Sequence, residues 1–126
     1  MELNTEKNIT IDEYQEQAMT TCMPTCDNIS YMLLNMVGEV GELASKIAKA
    51  IRKGQAEIQD NKLVWKERPT AEGEYRLRAE AGDCLWQLSG ICHVMGWRLS
   101  DVGRENLAKL KSRQERDVID GSGDIR

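Results

Sequence analysis

The stretch "YMLLNMVGEVGELASKIAKAI", Tyr31 to Ile51, decides how this chain folds. Its apolar residues recur at helical spacing. Leu33, Met36, Val40, Leu43, Ile47 and Ala50 form one seam. Leu34, Val37, Gly41, Ala44, Ala48 and Ile51 form a second beside it. What is left over, Asn35, Glu39, Glu42, Lys46, Lys49 and Lys53, recurs every third or fourth residue and falls on one narrow line. A helix that is apolar on nearly all sides is expected to be buried. Two glutamates in its middle, each directly behind a glycine, therefore need a reason.

The segment "RLRAEAGDCLWQLSGICHVM", Arg76 to Met95, repeats the arrangement. Leu77, Ala81, Leu85, Leu88, Cys92 and Met95 are its apolar seam, and Arg76, Glu80, Asp83 and Gln87 its polar line. The chain thus carries ExxE on one helix and ExxD on another. Read as solvated strips, these lines are unremarkable, and Glu42 with Lys46 is an ordinary i, i+4 surface pair. If they face each other, the four carboxylates converge. Two such charges ~4 Å apart repel by about 4 kcal/mol at an effective dielectric near 20, so a cation has to sit between them. Oxygen ligands without histidine or thiolate point to Mg2+, with Mn2+ as a substitute. Cys22 and Cys26 lack the paired CxxC spacing of a zinc site. His93, the one histidine, cannot supply the Glu-x-x-His pairs of a di-iron bundle. Gly38 and Gly41 leave room beside the carboxylates for a second backbone or for a ligand.

Around these two helices the rest falls into place. Thr10 and Glu13 form a capping box that opens a first helix over 10–21, ended by Pro24. The second helix covers 30–53 and stops at Gly54. Residues 54–74 lack a helical period and form an irregular insertion. Its "IQDNKLVW" has room for a short β-ribbon turning at Asp60 and Asn61. The third helix is expected over 75–95 and the fourth over 100–116, with a loose glycine-rich tail over 117–126. The expectation is one all-α domain over 1–126, built like a four-helix bundle with an insertion between helices two and three.

Composition agrees and excludes several functions. The 126 residues include no Phe and only two Pro, and they carry 17 basic and 21 acidic groups. The resulting charge of −4 argues against a nucleic-acid partner. No apolar run is long enough for a membrane span, and the polar N-terminus is no signal peptide. The reading is cytoplasmic, with cysteines reduced. The last helix carries Asn106, Lys109, Arg113 and Arg116 on one line. Beside a metal this becomes a phosphate clamp; alone it is a solvated face.

ExxE followed by ExxD on consecutive helices resembles the MazG-like, all-α nucleoside triphosphate pyrophosphohydrolases. "GEVGELASKIAKAIRKG" looks like the first motif with its trailing lysines. "AEAGDCLWQLSGICHVMGWRLSDV" looks like the second motif and the turn into the last helix. "RENLAKLKSRQERDVIDGSGDIR" resembles the Asn-Lys-Arg helix and GSGD-x-R ending of one branch. The spacer between the motifs is longer than in compact members, and Ile125 stands where a polar residue is expected.

The resemblance implies hydrolysis of (d)NTP to (d)NMP and pyrophosphate, Mg2+, and a homodimer or homotetramer whose sites lie among helices of more than one subunit. Glu39, Glu42, Glu80 and Asp83 would hold the metal, and Glu39 or Glu42 would activate water. Lys46, Lys49, Lys109, Arg113 and Arg126 would grip phosphates. Asn35, Gln87, Asn106, Trp86 and Trp65 would meet sugar or base. A non-catalytic helical module that binds a nucleotide or metal is the alternative.

Overall fold

The computed structural model describes residues 2–6 and 8–124. Among them the chain forms four α-helices and one two-stranded ribbon: α1 (Ile11–Met19), α2 (Ile29–Arg52), β1 (Ala56–Gln59), β2 (Lys62–Trp65), α3 (Ala71–Val94) and α4 (Leu99–Glu115). The all-α fold with a ribbon in the insertion is therefore present.

Local chemistry sets most boundaries. The Thr10 hydroxyl accepts the Glu13 N–H, and the Glu13 carboxylate accepts the Thr10 N–H, each at 3.2 Å. Pro24 opens a single 3-10 turn that separates α1 from α2. Asn28 caps α2 by accepting the Tyr31 N–H at 2.8 Å. Gly54, at φ 73°, ends it. The Gln55 N–H then closes on the Ala50 carbonyl at 2.9 Å, the six-to-one bond of a Schellman ending. Gly96 ends α3 the same way, with the Trp97 N–H on the Cys92 carbonyl at 2.8 Å. In the ribbon, Gln59 pairs with Lys62 across Asp60 and Asn61, both at positive φ. Asn and Asp tolerate that region better than other residues with a side chain.

α3 begins at Ala71, ahead of the Tyr75 start expected from the apolar period. Its first turn, "AEGE", has no large apolar residue to reveal it. Thr70 caps it by accepting the Gly73 N–H at 3.1 Å. The tail is also less free than expected. The Val118 N–H bonds the Arg113 carbonyl at 2.9 Å, and Asp124 sits within 3.3 Å of both Lys109 and Arg113.

α2 and α3 make the broadest contact; α1 packs on α3, and α4 on α1. α2 and α3 run antiparallel, because Asn35 meets Gln87 at one end while Lys46 meets Glu80 at the other. α1 also starts α4, whose N-cap residue Arg98 makes no side-chain cap bond. Asp12 accepts the Ser100 N–H at 2.8 Å, and Gln15 accepts the Leu99 N–H at 2.8 Å. These bonds from the Ser100 hydroxyl and backbone, with Arg98 beside them, hold the Asp12 carboxyl below its ordinary value.

The expectation that α2 is buried all round does not hold for the single chain. Met32 and Ala50 are buried, but Leu33, Leu34, Val37 and Val40 are 51%, 75%, 75% and 48% exposed. One side of the helix faces α3 and the other faces outward.

At Gly90 the Met32 side chain of α2 lies directly against the α3 backbone. A Cβ there would overlap the Met32 sulfur, so the end of this fully buried side chain would have to shift. Gly90→Ala is expected to destabilise the fold by about 1–3 kcal/mol through overpacking. Chemical denaturation of the two proteins measures it.

Candidate metal centre

The antiparallel α2–α3 pair brings the two polar lines face to face. Glu39, Glu80 and Asp83 each offer an oxygen, and these oxygens lie within 4.8 Å of one another. Glu80 is buried, Glu39 half-buried and Asp83 exposed, so the cluster opens to solvent on one side. Glu42, one turn beyond Glu39, is exposed and stands outside this group of three.

Asn35 and Gln87 close one end of the trough. The Gln87 amide is 1% exposed and donates to the Met32 carbonyl at 3.3 Å. That bond fixes which way the amide faces, so its oxygen accepts from the Asn35 amide at 2.7 Å. Asn35 in turn donates to Glu39 at 3.3 Å. Gln87 thus works inside the protein, orienting Asn35 and through it Glu39. Lys46 closes the other end, its ammonium 2.9 Å from Glu80.

Two buried oxygens, Glu39 Oε2 and Glu80 Oε2, have no hydrogen-bond partner among the described residues. A buried carboxylate oxygen without a donor is costly. Burial, followed by the negative charges of Asp83 and Glu42, holds the Glu39 carboxyl above the ordinary glutamate range, against the opposing bond from Asn35. Desolvation and then Asp83 likewise push up the Tyr14 phenol of α1. Unsatisfied, crowded, all-oxygen donors fit a hard divalent cation.

Residues 28–117 match the MazG nucleotide pyrophosphohydrolase domain. The chain belongs to the MazG family. MazG proteins act on nucleotides and generally use a divalent metal. All four motif carboxylates lie inside the matched segment, whereas α1 lies outside it. The Gene 37 protein of Mycobacterium phage L5 is 37% identical over 123 residues, covering 92% of this chain and 98% of its own length. No solved structure matches this chain.

The remaining candidates are placed unequally. Tyr31, Asn35, Glu39, Asp83, Trp86 and Gln87 line one cleft of about 260 Å³. The Trp86 indole N–H is committed to α1, donating to the Ala18 carbonyl at 3.2 Å and the Thr21 hydroxyl at 3.0 Å. Trp65 lies in a different cleft, with Leu43, Ile47, Pro69 and Leu77. Lys49 and Asn106 are exposed. Lys109 and Arg113 hold Asp124, on a helix whose extensive contact is with α1. Their positive charges, bonded to its carboxylate, hold Asp124 below its ordinary value. Arg126 lies outside the described residues. Among the described residues, a Cβ at Gly41 would meet nothing within 4 Å beyond its own helix backbone, and one at Gly38 only the Asn35 side chain.

Sequence reasoning missed two residues. Tyr31 extends the α2 line by one more turn, four residues before Asn35, so the period contained it. Tyr14 comes from α1, and no spacing rule links it to Asp83.

The raised Glu39 pKa makes a pH prediction. The folded chain holds that proton more tightly than the unfolded chain, so stability falls as pH rises through the Glu39 pKa. In chelator-treated protein, Glu39→Gln is expected to raise Tm at pH 7. The gain should shrink as pH is lowered toward the ordinary glutamate value of 4.5, as thermal melts across pH would show.

Proposed function

We propose that this MazG protein is a Mg2+-dependent nucleoside triphosphate pyrophosphohydrolase. It hydrolyses (d)NTP to (d)NMP and pyrophosphate and serves as a cytoplasmic house-cleaning activity on the nucleotide pool. The observation that carries this reading is the Glu39–Glu80–Asp83 cluster with its two orphaned oxygens, seated on the ExxE and ExxD motifs.

Glu39, Glu80 and Asp83 would hold the cation, with Glu42 at the rim. When bound, Mg2+ offsets charge on the substrate phosphates and the negative charge that develops during attack. Glu42, exposed and outside the cluster, is the carboxylate free to take the proton of the attacking water. The water oxygen bonds to the α-phosphorus, the bond from that phosphorus to the bridging oxygen breaks, and pyrophosphate leaves. Lys46 and Lys49 lie along α2 past the carboxylates, where they would meet the departing phosphates. The Tyr31–Asn35–Trp86 cleft, on the opposite side, is the place for the nucleoside.

The exposed strip Leu33, Leu34, Val37 and Val40 supports a homo-oligomer, because an apolar helix face of this kind is typically covered by a partner. A second copy would also bring Asn106 and Lys109 of α4 to a site that α4 does not reach broadly within its own chain, whereas Arg113 is buried in its own chain.

The test is a panel of dNTPs and NTPs with Mg2+, scored for monophosphate and pyrophosphate. Both products are expected from at least one nucleotide. Glu42→Gln or Asp83→Asn is expected to lower kcat by at least ~100-fold while the circular dichroism melt stays cooperative. A Mg2+-dependent rise in Tm without turnover would select the non-catalytic module instead. Val37→Glu places a charge in the exposed strip. It is expected to shift sedimentation toward the monomer without unfolding the chain.

A further inference from the structure

We propose that Lys46 and a divalent cation are alternative counter-ions for Glu80, so that cation binding releases the Lys46 ammonium toward the phosphates. This rests on the metal centre of the proposed function. Helical spacing would pair Lys46 with Glu42, one turn back on the same helix. Its ammonium instead crosses to α3 and lies 2.9 Å from Glu80 Oε1. Glu80 is only 9% exposed, and its second oxygen has no partner. One oxygen of this buried carboxylate is therefore held by lysine, and the other is open to a further partner.

The two kinds of cation do not share Glu80 comfortably. A divalent ion held by the cluster and an ammonium on the same carboxylate are like charges a few ångströms apart, and the Glu80 carboxylate between them is largely shielded from water. Lysine is the partner that can leave. Its charge is a point on a flexible four-carbon stem, and its side chain is 41% exposed, so it swings away without unpacking α2 from α3. The exchange keeps Glu80 in its ligating position before the cation arrives. It also delivers a positive charge to the rim of the trough when a polyphosphate follows. Lys46 is thus a positioning residue for Glu80 as well as a phosphate contact.

The proposal makes a prediction of unusual sign: removing this side chain tightens metal binding. Mn2+ affinity is read by calorimetry and electron paramagnetic resonance on chelator-treated, full-length protein. Lys46→Met is expected to bind Mn2+ about tenfold more tightly than wild type. It should also melt at a lower temperature in chelator, since Glu80 loses its partner. Lys46→Arg, which keeps the charge, is expected to bind like wild type. Lys53→Met removes a charge two turns further along the same line and should change affinity by less than about twofold. The proposal is overturned if Lys46→Met binds Mn2+ no more tightly than Lys53→Met. It is equally overturned if Lys46→Met melts like wild type in chelator. Absence of Mn2+ binding by every variant and by wild type would instead remove the metal centre itself, and this inference with it.

Discussion

Three carboxylate oxygens within 4.8 Å of one another are a repulsive arrangement, and the α2–α3 contact is what holds them there. Along that contact the buried Met32 packs into the space left by the missing side chain of Gly90. The antiparallel direction of the two helices sets which polar residue faces which. The repulsion is carried by apolar burial along the same interface, and it appears locally as a raised Glu39 pKa and two oxygens without donors. A site under this tension favours any divalent cation that can satisfy it.

The trough is bounded by different chemistry at its two ends. At the Tyr31 end, neutral amides are fastened in sequence from the Met32 backbone through Gln87 and Asn35 to Glu39. That chain has little freedom, because its first member is almost wholly buried. At the other end a flexible ammonium meets Glu80. One end fixes a ligand's orientation; the other end can move. This asymmetry is what the proposed reaction would use, with fixed carboxylates on one side and a movable positive charge on the other.

α1 lies outside the segment that matches the MazG domain, yet it ties the structure together. Asp12 and Gln15 supply the N-terminal hydrogen bonds that α4 does not make for itself. Ala18 and Thr21, at its end, hold the Trp86 indole. Tyr14 stands close enough to Asp83 to feel its charge. Meanwhile the outer face of α2 carries exposed leucine and valine side chains on the same helix that supplies Glu39 and Glu42. A partner on that face would therefore bear directly on the helix that supplies Glu39 and Glu42.

The sequence by itself determined the helices and their polar lines. Apolar period, the Thr10–Glu13 box, Pro24, Gly54 and Gly96 act within a few residues of themselves, so spacing alone reveals them. ExxE and ExxD were visible for the same reason, and so was the turn at Asp60 and Asn61. The early start of α3 escaped, because its first turn is defined by a cap and not by burial. Only the tertiary structure decided that Glu39, Glu80 and Asp83 bring their oxygens together while Glu42 is exposed, and that Gln87 is buried. It alone decided that Lys46 pairs with Glu80 across the interface, that Trp65 lies away from the cluster, and that one side of α2 is exposed. These facts depend on the rotation and separation of two helices far apart in the chain. Periodicity tells which residues share a face, but packing tells what that face meets.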